Sequence, residues 1–183
     1  MAPVTEKEME RLTEFEVKFS GLKEGIHRFE FSVTDKFFEE FEYKEFNSVQ
    51  AKVVLDLHKK ATLMEAHYSM QGTVNLHCDL TNEPFDLEVS HDFDLVIKFG
   101  PDFSDDHEDL LVLPHGAHSF DVSQHIYELL VLSIPQKRVH PGVEDGSLDS
   151  DILHRLEELR PSEDKTSQSG TDPRWDALKK LKE

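Results

Sequence analysis

The chain has 183 residues, room for one ordinary domain and a tail. It carries 38 acidic against 20 basic residues, a formal net charge of -18 with neutral histidines, which argues against a broad basic surface for DNA or other nucleic acid. No run approaches the roughly 18 apolar residues of a membrane span, residues 1–11 hold no apolar leader, and the single cysteine, Cys78, forbids an internal disulfide, so a cytoplasmic globular protein is expected.

Phe15, Val17 and Phe19 alternate with Glu14, Glu16 and Lys18, which predicts a half-buried strand. Gly21 and Gly25 punctuate a turn, and a second strand follows with Phe29, Phe31 and Val33 on one side. Asp35 is placed to cap a short helix over 36–43 that carries Phe37, Phe38 and Phe41 at helical spacing. The charges between these aromatics are mostly Glu, whereas base-stacking platforms interleave Lys and Arg, so the cluster reads as core. Residues 49–58 alternate through Val49, Ala51, Val53, Leu55 and Leu57. Residues 62–70 predict another strand, Gln71-Gly72 a bend, and 73–78 a further strand before the turn Thr81-Asn82-Glu83-Pro84. From 85 to 99 the alternation runs Phe85, Leu87, Val89, His91 and then Phe93, Leu95, Ile97, Phe99, with a break or twist between the two sets. Short connections make these strands antiparallel neighbours.

Residues 100–109 (GPDFSDDHED) read as an acidic loop, 110–113 as a short strand closed by Pro114, and 119–122 as another. Asp121 or Ser123 can cap a helix over 123–133 whose Ile126, Leu129, Leu130 and Ile134 face the core and which Pro135 ends. Lys137, Arg138 and His140 form a local basic patch. Residues 143–172 are rich in Gly, Ser, Asp and Glu and are expected as an acidic flexible linker, with a short amphipathic helix over 152–159. Asp172-Pro173 opens a final helix over 173–183, with Trp175, Leu178 and Leu181 on one stripe and Lys179, Lys180 and Lys182 at its end. That stripe needs a surface, on its own domain or on a partner. The expected fold is α+β: over 1–142, a curved, mainly antiparallel sheet of about six to eight strands with one main helix near 123–133, followed by the linker and the C-terminal helix.

The sequence holds no Gly-rich phosphate loop, no G-x-S-x-G elbow and no H-E-x-x-H. His115 and His118 are the best local pair, but a zinc site needs three or four convergent ligands. Spacing does not bring Cys78, His91 or His140 to them, so no metal or other cofactor is expected. A nucleophilic Cys78 would need a depressed thiol pKa. Asp79 and the negative surroundings argue for a raised one, and Cys78 reads as a small buried residue. No catalytic residue is assigned.

Charge is uneven. Between residues 61 and 136 there are fourteen acidic residues and one basic residue, Lys98, a net of -13. Charge alone leaves two readings open, a solvated face kept negative for solubility or a docking surface for a basic partner. Asp102, Asp105, Asp106, Glu108 and Asp109 crowd into one predicted loop.

Two stretches carry a resemblance. One is Gly72-Thr73-Val74-Asn75-Leu76-His77-Cys78-Asp79-Leu80-Thr81 with Pro84-Phe85; the other is Phe120-Asp121-Val122, Ile126-Tyr127-Glu128, Leu132-Ser133-Ile134-Pro135 and His140-Pro141. Together with the terminal Asp172-Pro173-Arg174-Trp175 and Leu178-Lys179-Lys180-Leu181, their order resembles the YceD family, the large ribosomal RNA subunit accumulation proteins. The resemblance implies a non-enzymatic protein needed for 23S ribosomal RNA accumulation, and it marks Gly72, Cys78, Pro135 and His140 as family-signature residues. Many members carry C-x-x-C at the first stretch; here Cys78 matches the first cysteine and Thr81 stands at the second, so a two-cysteine site is not carried over. Three readings follow. The first is an assembly factor whose acidic surface contacts a basic ribosomal protein or pre-ribosomal particle, through Asp102, Asp105, Asp106, Glu108 and Asp109. The second is direct, weak ribosomal RNA contact through Lys137, Arg138 and His140 or through Arg174, Lys179, Lys180 and Lys182, with Trp175 as a further candidate binding residue. The third is a metal- or thiol-dependent enzyme.

Overall fold

Apolar–polar alternation builds one large element, an open sheet of six strands. A computed structural model describes residues 14–160, in two compact units that divide between His140 and Pro141. In the first unit the sheet consists of β2 (Gly25–Thr34), β3 (Ser48–Lys59), β4 (Leu63–His77), β5 (Pro84–Gly100), β6 (Ser104–His107) and β7 (Leu110–Pro114). A two-stranded sheet pairs β1 (Glu16–Lys18) with β8 (Ser119–Asp121), setting Val17 opposite Phe120. Helix α1 (Asp35–Glu40) follows β2, and α2 (Ser123–Leu132) follows β8. The architecture is the expected α+β, mainly antiparallel.

Five local expectations are corrected. Gln71 and Gly72 do not bend the chain: β4 runs through them, with Gly72 opposite Ala51 on one side and Val89 on the other. A Cβ at Gly72 would lie 2.5 Å from Ala51 Cβ and 2.6 Å from the Gln50 carbonyl oxygen. This glycine permits a close strand approach instead of a turn. The break expected within β5 is also missing, since β4 and β5 stay in register from Leu63 opposite Lys98 to His77 opposite Pro84. The acidic stretch over 100–109 is not all loop, because β6 forms within it and reverses so that β7 enters between β5 and β6, parallel to β5. Asp35 does not cap α1. Thr34 holds the cap position, and Asp35 Oδ1 accepts from the Val49 N–H at 2.5 Å, fastening the helix to β3. In the second helix Val122, and neither Asp121 nor Ser123, holds the cap position, while Asp121 Oδ1 accepts from the Ser123 N–H at 2.7 Å.

The core lies on one face of the sheet. Val53, Leu55, Leu57, Met64, Tyr68, Met70, Leu76, Leu95 and Ile97 are fully buried there, with Val17, Ile126 and Leu130 from the elements that cover them. The aromatic cluster is core, as its charges suggested: Phe37 and Phe38 are buried, and Phe38 and Phe41 both pack on Tyr127 of α2. Lys59 Nζ donates to the carbonyls of Phe19 and Leu22, at 2.9 Å each, and closes the turn after β1.

One titratable side chain is caught in this core. His125 of α2 is 8% exposed and stacks on Tyr68 and Phe93, with ring centroids 6.0 and 6.2 Å apart. Neither His125 Nδ1 nor Tyr68 Oη has a hydrogen-bond partner among the described residues. Burial lowers the His125 pKa, with Asp105, Glu128 and Asp121 opposing it in part. The folded state therefore keeps the ring neutral while the unfolded chain takes up a proton near pH 6.5.

Two outcomes follow. Gly72→Ala should destabilise the protein by about 1–3 kcal/mol, read as a lower urea midpoint. Gly116→Ala, where nothing lies within 4 Å of the new Cβ, should stay within about 0.5 kcal/mol of the parent. Stability should also fall as pH drops below about 6.5, and the share due to His125 should vanish in His125→Phe, flattening the stability profile between about pH 7.5 and 5.5.

Candidate functional site

The connection from β4 to β5 is a six-residue turn that starts at Cys78. The Cys78 N–H donates to the Glu83 carbonyl at 2.9 Å, and the Asn82 N–H returns to the Cys78 carbonyl at 2.8 Å. Asn82 takes the left-handed conformation, φ 58°, which Asn tolerates better than most residues. His77 Nδ1 donates to the Asn82 carbonyl at 3.0 Å. Thr81 is folded under the turn and buried.

The chain after α2 returns to this turn. Ser133 Oγ donates to the Leu130 carbonyl at 2.6 Å, and Pro135 leads into an irregular segment that ends at His140. The Asp79 N–H donates to the Arg138 carbonyl at 2.7 Å, and the Arg138 N–H donates to Asp79 Oδ2 at 2.7 Å. The Arg138 guanidinium lies 3.3 Å from Asp79 and 3.6 Å from Glu45. The His140 N–H donates to Cys78 Sγ at 3.3 Å, and the His140 ring meets the buried Phe85 edge-on at 5.5 Å. Two stretches some 60 residues apart in the sequence are thus one assembly, containing Cys78, Asp79, Thr81, Phe85, Arg138 and His140.

This geometry reverses the expectation of a raised thiol. Cys78 is 2% exposed. Burial pushes the thiol up, but the Thr81 hydroxyl and the backbone N–H groups of His140, Thr81 and Leu80 outweigh it, and the pKa ends below the ordinary thiol value. Counting nearby acidic side chains missed the donors, because backbone N–H groups in a turn leave no mark in a charge count. The arrangement can stabilise a thiolate. Among the described residues, no group of three or more His, Cys, Asp and Glu side chains is placed to hold a metal ion. The expected basic patch also changes character: Lys137 is exposed, but Arg138 is held by two carboxylates.

The carboxylates distribute asymmetrically over the sheet. On the solvent face of β2 and β3, cations and anions pair off. Arg28 binds Asp56 through two 2.7 Å hydrogen bonds, and Lys52 lies 2.7 Å from Glu30. On β5, Asp86, Glu88, Asp92 and Asp94 alternate with inward residues and so line one exposed face. Asp94 meets His67 at 2.7 Å and Asp86 accepts from Asn75 Nδ2 at 2.6 Å, while Glu88 and Asp92 have no ion pair among the described residues. The sequence reading had singled out none of these four; the signal was their alternation with Phe85, Leu87, Phe93 and Leu95. Asp102, Asp105, Asp106, Glu108 and Asp109 are all exposed, on β6 and its flanks. Asp105 contributes to the field at His125 of α2, and Asp106 accepts from Ser104 Oγ at 2.8 Å. Arg174, Trp175, Lys179 and Lys180 lie outside the described residues, as does the helix expected over 173–183.

A family model described as large ribosomal RNA subunit accumulation protein YceD matches residues 66–182, more than half of the chain. The chain belongs to the YceD family. The match begins inside β4 and takes in the Cys78 turn, the β5 stripe, α2 and the His140 segment; the chain before Ala66 lies outside it. No curated protein and no solved structure matches the chain. Membership implies a role in accumulation of the large ribosomal RNA subunit, in a family of ribosomal factors and not of known enzymes. Among the described residues no helix is long and apolar enough to cross a membrane.

Thr81→Val removes the hydroxyl that helps to lower the Cys78 thiol pKa and should move that pKa upward. Ultraviolet thiolate absorbance against pH will show this cleanly, since Cys78 is the chain's one cysteine. An unchanged midpoint would mean that the Thr81 hydroxyl does not support the thiolate.

Proposed function

We propose that this chain acts in large-subunit biogenesis as a non-enzymatic factor, offering its carboxylates to a basic ribosomal protein or pre-ribosomal particle in the cytoplasm. The observation that supports this is the charge asymmetry of the sheet. Cations answer the anions on β2 and β3, whereas on β5 Asp86, Glu88, Asp92 and Asp94 share their exposed face with one lysine, Lys98, at the far end of the strand, and Asp94 alone has a side-chain ion-pair partner among the described residues, His67. Exposed Asp102, Asp105, Asp106, Glu108 and Asp109 extend the negative surface beyond the strand. Such a field attracts Lys- and Arg-rich segments and repels bare phosphate, so it favours contact with protein over RNA. Direct RNA binding through the 137–140 segment is the weaker reading because Asp79 and Glu45 already engage Arg138. The Cys78 turn serves here as structure, tying β5 to the segment after α2.

Neutralising the stripe, with Asp86→Asn, Glu88→Gln, Asp92→Asn and Asp94→Asn together, should abolish recovery of basic ribosomal proteins from nuclease-treated lysate and reduce 23S ribosomal RNA accumulation in complemented cells. Cys78→Ser should retain both. Recovery that nuclease eliminates in the parent protein would favour RNA contact, and loss of function in Cys78→Ser with the fold intact would revive a thiol-based activity.

A further inference from the structure

The second unit contains α3 (Pro141–Glu144) and α4 (Asp151–Glu158). The chain between them is pinned by the Leu148 N–H donating to the Gly142 carbonyl at 2.9 Å. Helix α4 places Ile152 and Leu156, together with Leu159 just past its end, at i, i+4 and i+7, one continuous helix face. Their exposures are 44%, 46% and 72%. Eight residues make about two turns, too short to persist in water on intrinsic propensity, so a helix of this length depends on covering its apolar side.

The chain supplies a complementary segment. The sequence of residues 173–183 spaces Trp175, Leu178 and Leu181 three apart, the spacing of one helix stripe, and its Arg174, Lys179, Lys180 and Lys182 against Asp176 and Glu183 leave a net charge of +2. Helix α4, with Asp151, Glu157 and Glu158 against Arg155, has a net charge of -2. The twelve intervening residues, 161–172, can span up to about 40 Å, while α4 is about 12 Å long, so the segment reaches any point on the helix. Tethering at this length also raises the local concentration to the order of millimolar, which a second copy at micromolar concentration does not match.

We propose that residues 173–183 dock on α4 of the same chain and bury Trp175, Leu178 and Leu181 against Ile152, Leu156 and Leu159. Trp175 is the chain's one tryptophan, so its fluorescence in the full-length protein reads the contact directly. The parent protein should show blue-shifted emission that acrylamide quenches poorly, independent of protein concentration. Leu156→Glu, and separately Leu159→Glu, should shift the emission to the red and raise the quenching constant severalfold; both positions are exposed, so the substitutions leave the first unit folded. Glu157→Gln, on the opposite side of the helix, should leave the emission unchanged. A solvent-exposed Trp175 in the parent would overturn the proposal, and so would a buried Trp175 indifferent to both glutamate variants. A signal that changes with protein concentration would assign the face to a second copy and overturn docking within one chain.

Discussion

The ladder between β4 and β5 is the constraint from which the rest follows. It keeps one register along the whole of β4, and side chains alternate along it. A slip of one residue would turn Leu95 and Ile97 outward and draw Asp94 and Asp86 into the core. Desolvating those carboxylates without partners would cost far more than the slip could recover. The same hydrophobic burial that fixes the core therefore fixes the line of charge on the other face. It also brings His77 opposite Pro84, which closes the Cys78 turn at the end of the ladder. Gly72 belongs to this constraint: the approach of β3 to β4 at Ala51 leaves no room for a side chain, and only glycine keeps both ladders straight through that point.

The turn shows how a buried cysteine acquires polarity from donors that carry no charge. The His140 N–H donates to the Cys78 sulfur, and the Thr81 hydroxyl and the N–H groups of Leu80 and Thr81 in the turn add to the polarity that lowers its pKa. Backbone donors cannot rotate away, so the sulfur sits in a preorganised positive environment. The paired hydrogen bonds between Asp79 and Arg138 hold the second side of that environment in place. Sulfur, carboxylate and guanidinium are therefore one structural unit, which joins the strand pair to the chain leaving α2.

Much of the fold was legible because alternation is a local signal. The strands at Val49–Leu57 and Phe85–Phe99, the α2 helix and the buried Phe37–Phe38 cluster all show in the spacing of their apolar residues. The misreadings share one cause, since each needed knowledge of a distant neighbour. Gly72 looks like a bend until Ala51 is placed beside it. Asp35 looks like a cap until the Val49 N–H arrives from the next strand. The crossing that puts β7 beside β5 depends on Leu111 and Leu113 finding the buried face of the sheet, and nothing within GPDFSDDHED reports it. The candidate site divides in the same way. Cys78 and His140 were visible as members of two family-like stretches, but their contact spans 62 residues of sequence and became visible only in the fold.

The asymmetry of charge has an energetic meaning. Carboxylates two residues apart on one strand face lie roughly 7 Å from each other, and their repulsion is only partly screened at physiological ionic strength. On β2 and β3 the same geometry is relieved by Arg28 and Lys52. Lysine or arginine at Thr73 or Ser69, which face Glu88 and Asp92 across the ladder, would relieve β5 equally well, and those positions are instead uncharged. Folding thus leaves a repulsion on β5 that it has the means to remove. A basic partner removes it on binding, and the relief adds to the association free energy without any further ordering of the sheet, which is already rigid in its register. Under the proposed function, the acidic stripe is a surface whose missing counter-charge comes from the ribosomal component it meets.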